Sequence, residues 1–187
     1  MDLQAIKDRI PDYAKDLRLN LDAVLSRSSL TPALARGAAI AAAFAAMAPF
    51  LVAALRDDSV IDPVHASAAL TAAALMGMNN VWYPYVEMAG DPELKTLRAE
   101  LRMNAYANHG GVDRASFELY ALAASTVGKC EFCVSSHYKL LRESGYGTQQ
   151  LRDVGRIAAV VNAVAQVLAT ESVEPPAIAS AAESAVA

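Results

Sequence analysis

Four side chains carry the chemistry of this sequence. Glu118 is followed after eleven residues by Cys130-Glu131-Phe132-Cys133, and His137 stands four positions beyond the second cysteine. Spacings of three and four put Cys130, Cys133 and His137 on one face of a helix. Gly128 sets the cysteine pair at a helix start, where unpaired amides and the macrodipole favour an anion. Cys-x-x-Cys thiols in such positions have pKa values lowered to roughly 3.5–7.5, so a thiolate is available at neutral pH. Helical neighbours three apart have Cβ atoms about 5–6 Å apart, whereas a disulfide wants about 3.5–4.5 Å. Oxidation must therefore adjust the first turn, and the bond should reduce readily, as a cycle requires. His137 can accept a thiol proton near pH 7. A carboxylate touching a thiol would oppose its ionisation. Glu118 makes better sense orienting His137 and stabilising its protonated form, directly or through water.

Blander readings stand beside this one. The pair could be half a zinc site, with Cys130, Cys133 and His137 needing His65 or His109 as a fourth ligand. Adjacent turns of one helix are a poor source of tetrahedral geometry. The cysteines could be inert core, His137 a structural histidine, and Glu118 a solvated charge. His65 and His109 read as structural, with His109 entering a turn at Gly110-Gly111. Trp82 and the Met76, Met78 and Met88 group read as core. The one Gly-Gly belongs to no phosphate loop, so no bound haem, flavin or nicotinamide cofactor is expected.

The elements that must hold these residues are helices. Of 187 residues 40 are Ala, the best intrinsic helix former. Val and Ile never alternate with polar residues over a strand length. The chain reads as all-α, which disfavours a thioredoxin fold. Thr31-Pro32 opens a helix to about Ala48, Asp62-Pro63 one through Ala74 and beyond, and Asp91-Pro92 a third. Asp113 caps a helix over Arg114 to about Val127, ended by Gly128. The next covers Cys130 to about Glu143, stopped by Gly145, and Thr148 caps the last, through Thr170. Without a Gly/Ser linker, residues 1–173 read as a single domain and 174–187 as a tail that frays. Gly77-Met78-Asn79-Asn80-Val81-Trp82 echoes Gly128-Lys129-Cys130-Glu131-Phe132-Cys133 at an offset of 51. A duplicated unit, each copy opening a helix, would explain it, as would chance in Ala-rich sequence.

Composition excludes other classes. An apolar share of 55% against 19% charged residues is no disordered chain. A net charge of −4 offers no basic footprint for nucleic acid. The apolar run from Ala38 to Leu55 approaches the length of a membrane span, but Pro49 interrupts it and Ala dominates it. It reads as a core or subunit-interface helix. The charged start, MDLQAIKDRI, has no signal-peptide core, so a cytoplasmic protein is expected. In a reducing compartment a close cysteine pair is catalytic or metal-binding rather than structural.

The segment resembles the alkyl hydroperoxidase D family, within the carboxymuconolactone decarboxylase-like superfamily of all-α proteins. Glu118, Cys130, Cys133 and His137 match the family spacing without a gap. Pro11-Asp12-Tyr13-Ala14-Lys15-Asp16, Met76-Gly77-Met78-Asn79-Asn80-Val81 and Leu101-Arg102-Met103-Asn104 extend the likeness over nearly the whole chain. The resemblance implies a helical subunit, usually a homotrimer, that reduces alkyl hydroperoxides. It also implies adaptors that pass electrons from dihydrolipoamide on a lipoyl-bearing acyltransferase to a peroxiredoxin. By that likeness Cys133 is the peroxidatic thiol and proton donor, and Cys130 resolves the sulfenic acid to a disulfide. Glu118 and His137 form a proton relay with Cys130. One position departs: some members carry a second His before the second Cys, and here it is Phe132, which cannot shuttle protons. A non-redox lactone decarboxylase remains the third class, disfavoured because that chemistry needs no cysteine pair.

Overall fold

Three of the helix starts are set by short polar side chains, two of them followed by proline. In the computed structural model, which describes residues 2–57 and 59–172, Thr31 Oγ1 accepts the Leu34 amide at 3.3 Å. Asp62 Oδ1 accepts the amides of Val64 and His65 at 2.9 and 3.0 Å. Asp113 takes the Ser116 amide at 2.9 Å and its hydroxyl at 2.6 Å. Each bond satisfies a donor that the first helical turn would leave unpaired.

Among the described residues there are nine α-helices and no strand. They are α1 (Leu3–Asp8), α2 (Asp16–Ser26), α3 (Pro32–Ala45), α4 (Pro49–Leu55), α5 (Pro63–Ala89), α6 (Asn104–Ala107), α7 (Arg114–Gly128), α8 (Glu131–Glu143) and α9 (Thr148–Glu171). The fold is all-α. The expected fraying of 174–187 falls outside the described residues.

Helix α7 is the axis. Every side chain from Ser116 to Ser125 is buried, and α3, α5, α8 and α9 pack around it. A helix buried on all sides must be apolar nearly all round, as this one is apart from Ser116, Glu118 and Ser125. The Ala-rich α3 lets its neighbours approach closely, with Ala38 to Ala43 wholly buried. At Gly37 a Cβ would lie 2.3 Å from the Tyr120 ring, so only glycine fits there. Asp153 fastens α9 to the chain before α3. It accepts the Ser29 amide and hydroxyl, both at 2.8 Å, while Arg152 and Arg156 cover its other oxygen.

The sequence reading needs correction in five places. The apolar run is two helices, because Met47 takes a left-handed φ of 56° and Pro49 starts α4 afresh. Asp91-Pro92 opens only a 3-10 turn at Leu94–Thr96, the Asp91 side chain capping the Glu93 amide at 2.9 Å. Gly77 to Asn80 open nothing: α5 runs straight through them to Ala89, with Pro84 inside it. Gly147 is the last N-cap, its amide donating to Gln150 Oε1 at 2.8 Å, and Thr148 is the first helical residue. Met88 is 80% exposed and no part of the core. Among the described residues one helix, α9, is long and apolar enough to cross a membrane. One face of it, Leu151, Val154, Ile157, Val161, Val164 and Leu168, is instead buried against the fold.

Candidate active site

Two helix junctions build the site. Gly128 ends α7, and Lys129, at φ 56°, turns the chain into α8. A Cβ on Gly128 would lie 2.1 Å from the Asn80 amide nitrogen, so α5 can press onto this junction only because the residue is glycine. The Asn80 amide donates to the Ala124 carbonyl at 3.3 Å and holds α5 there. That contact places the Asn79 carbonyl oxygen 3.9 Å from Cys130 Sγ. The echo between the two segments is thus a packing contact rather than a pair of matching helix starts.

Cys130 is the N-cap of α8, not its first helical residue. Its backbone is extended (φ −82°, ψ 101°), and its sulfur accepts the Cys133 amide at 3.2 Å. This cap conformation supplies the adjustment that a disulfide requires of the first turn. Cys130 and Cys133 are joined as a disulfide across a Cα–Cα separation of 5.2 Å. Neither sulfur is broadly exposed: Cys130 is 0% and Cys133 3% accessible. Of the two, Cys133 lines a pocket of about 370 Å³. Met103, Tyr83 and Phe132 give that pocket apolar walls, and His137 stands in it beside Cys133.

His137 comes one turn after Cys133 and is itself buried. Its Nδ1 lies 2.6 Å from Glu118 Oε2, reaching across from α8 to α7. The Tyr106 hydroxyl donates to Glu118 Oε1, and the Arg114 guanidinium lies 3.8 Å from the same oxygen. Burial pushes the Glu118 carboxyl up. Hydrogen bonds from His137 and Tyr106, with the charges of His137 and Arg114, outweigh it and hold the group below its ordinary value. The Tyr106 hydroxyl is raised well above its usual range by burial and by this carboxylate, so it stays a donor. A carboxylate can only accept, so the shared hydrogen sits on His137 Nδ1. The other ring nitrogen, Nε2, lies 3.1 Å from Met76 Sδ.

The four residues singled out from the sequence are therefore brought together, with Glu118 touching His137 directly. The other two histidines lie elsewhere. His65 Nδ1 meets the Tyr120 hydroxyl at 2.7 Å, and His109 forms a turn whose ring lies near Tyr106 and Phe117. Two members of the site escaped the sequence reading. Tyr106 follows the Leu101–Asn104 block by two residues, and Met76, which reads as core and is core, also faces His137. Phe132 stacks on Tyr83 at the pocket wall, with ring centroids 4.2 Å apart.

Comparison with known proteins bears on this arrangement. A profile of the carboxymuconolactone decarboxylase family matches residues 92–173, from the segment before α6 into the end of the described chain. Proteins named alkyl hydroperoxide reductase AhpD are similar over almost the full length. That of Rhodospirillum centenum is 45% identical over 174 residues, covering 92% of this chain and 93% of its own. That of Bradyrhizobium sp. strain BTAi1 is 41% identical, covering 94% and 98%. That of Streptomyces coelicolor is 41% identical, covering 92% and 98%.

Proposed function

The chain belongs to the alkyl hydroperoxidase D family, within the carboxymuconolactone decarboxylase family, and from that premise we propose that it reduces organic hydroperoxides with its Cys130–Cys133 dithiol. One observation carries the reading: Cys133 of the disulfide lines an apolar pocket together with His137, which Glu118 holds from behind.

In the dithiol form the Cys133 thiolate attacks the terminal oxygen of ROOH. The O–O bond breaks, Cys133 becomes a sulfenic acid, and the alkoxide takes one proton and leaves as ROH. The Cys130 thiolate then attacks the Cys133 sulfur. The S–S bond forms, and hydroxide takes the second proton and leaves as water. The two protons come from the two thiols and pass one at a time through His137 Nε2, while Nδ1 keeps its hydrogen toward the Glu118 carboxylate. The sum is ROOH plus a dithiol giving ROH, water and a disulfide. The assignment of Cys133 as attacking sulfur and proton donor is supported by its place on the pocket, since Cys130 lies beneath it. Cys130 as resolving thiolate is supported by the Cys133 amide aimed at its sulfur.

The disulfide is re-reduced by a dithiol, and dihydrolipoamide on a lipoyl-bearing acyltransferase is the donor that the family resemblance implies. A reducing compartment, the cytoplasm, suits that cycle. A homotrimer follows from the same resemblance, and exposed Val81, Tyr85, Met88 and Leu101 offer apolar surface for subunit contact. Phe132 favours a second reading, in which the protein mainly relays electrons to a peroxiredoxin, because it removes one proton-carrying branch. The test is turnover of cumene hydroperoxide with dihydrolipoamide, thioredoxin or glutathione as donor, each with and without an added peroxiredoxin. Turnover with dihydrolipoamide alone is expected. Turnover only with the peroxiredoxin assigns the relay role, and activity that survives thiol blocking overturns both.

A further inference from the structure

Two cavities meet at one aromatic pair. Beside the pocket of about 370 Å³ above Cys133 lies an outer cavity of about 260 Å³. Trp82, Val86, Leu94 and Leu97 line the outer one, and Tyr83 and Phe132 line both. Those two rings are stacked at 4.2 Å with 27° between their planes. The pair is the wall between the cavities. It is a wall that can part: a stacked pair is a weak contact, and Phe132 is 50% exposed, so its ring can turn aside without uncovering the core. Phe132 also adjoins Cys133 in sequence, so the opening lies next to the reactive sulfur.

We propose that the outer cavity is a subsite for the hydrocarbon tail of the hydroperoxide, entered between Tyr83 and Phe132, and that the protein therefore favours long-chain hydroperoxides over short ones. The proposal rests on the peroxidase reading of Cys133 and adds the substrate class. With the O–O group at Cys133, a short organic group is accommodated in the inner pocket. A longer one must either reach solvent or cross the wall. The outer cavity offers it Trp82, Val86, Leu94 and Leu97, and ends at the Lys95–Glu87 ion pair, 2.9 Å across. Each methylene removed from water there strengthens binding about fourfold. That remote binding energy is available to the reaction at the sulfur.

The test compares kcat/KM for linoleic acid hydroperoxide and tert-butyl hydroperoxide in the unaltered protein and in Val86→Phe, which fills the outer cavity. The long-to-short ratio is expected to fall at least tenfold in the variant. A second readout needs no variant. Trp82 is the single tryptophan of the chain and lines the outer cavity. The long-chain alcohol product should shift its emission, and tert-butanol should not. If the ratio holds in Val86→Phe while tert-butyl hydroperoxide is still turned over, the subsite is wrong and the peroxidase reading stands. If Val86→Phe does not fold, an unmoved Trp82 emission sinks the subsite by itself. If neither hydroperoxide is turned over, the subsite falls together with the peroxidase reading.

Discussion

Replacing Glu118 with Gln tests the arrangement that gives His137 its role. The substitution keeps the shape of the side chain and the hydrogen bond to Nδ1, and removes only the charge. Glu118 is 2% exposed, so solvent does not compensate for the loss. A hydrogen bond to an ionised group contributes about 1.5–3 kcal/mol and a neutral one about 0.5–1.5 kcal/mol. The difference, about 1–2 kcal/mol, corresponds to about 5- to 30-fold in rate. Steady-state turnover of cumene hydroperoxide at pH 7 should fall by that factor. Stability should follow with a defined pH dependence. The folded-state carboxyl lies below its ordinary value, so it stabilises the fold above the unfolded value of about 4.3, and this is lost as pH falls through the lowered folded value. The melting-temperature gap between wild type and variant should be full at pH 7 and narrow below about pH 4. A folded variant that turns over within about twofold of wild type, or a gap that stays constant to pH 3, would refute the reasoning.

Tyr106→Phe removes the hydroxyl that donates to Glu118 and leaves the ring lining the pocket. One neutral donor is worth about 0.5–1.5 kcal/mol, so turnover should fall about 2- to 12-fold; a larger loss than in Glu118→Gln would mean that Tyr106 acts on substrate itself. Asp153→Asn keeps the side chain's size but weakens five hydrogen bonds at a buried site. Denaturant unfolding at pH 7 should show a loss of about 1–3 kcal/mol. Hydrogen bonds from Ser29, Arg152 and Arg156 outweigh burial and hold this carboxyl far below its usual range, so the loss should shrink below about pH 4. Gly37→Ala drives a methyl into the Tyr120 ring, which the His65 contact fixes in place. The overpacking should cost about 1–3 kcal/mol in the same assay, and an unchanged midpoint would mean that α3 moves freely.

Much of this site is legible because its signals are local. The Cys-x-x-Cys pair, His137 one turn on, and the caps at Thr31, Asp62 and Asp113 depend on neighbours within a few residues. Fold class follows for the same reason, from Ala content and the lack of alternation. What the sequence hides is tertiary. Asp91-Pro92 has the same letters as Asp62-Pro63, yet Lys95 is drawn to Glu87 and the chain then extends toward Met103. Gly77 looks like a break, but inside a helix running from Pro63 to Ala89 it costs only about 1 kcal/mol and is carried through. Met76 reads as core and is core; that its sulfur also faces His137 depends on how α5 meets α8. Tyr106 enters the site from a four-residue helix that no periodicity announces. The burial of both sulfurs follows from α5 closing over the α7–α8 junction, a contact that no local spacing announces.

The central claim is that peroxide is reduced by the two sulfurs acting together. The protein is reduced, freed of reductant, and mixed with one equivalent of cumene hydroperoxide. Thiols are then counted, and the peptide spanning residues 130–133 is weighed by mass spectrometry. The account predicts two thiols lost for each peroxide consumed, an internal Cys130–Cys133 disulfide, and no such loss in Cys133→Ser. Peroxide consumed while both thiols remain free would contradict it.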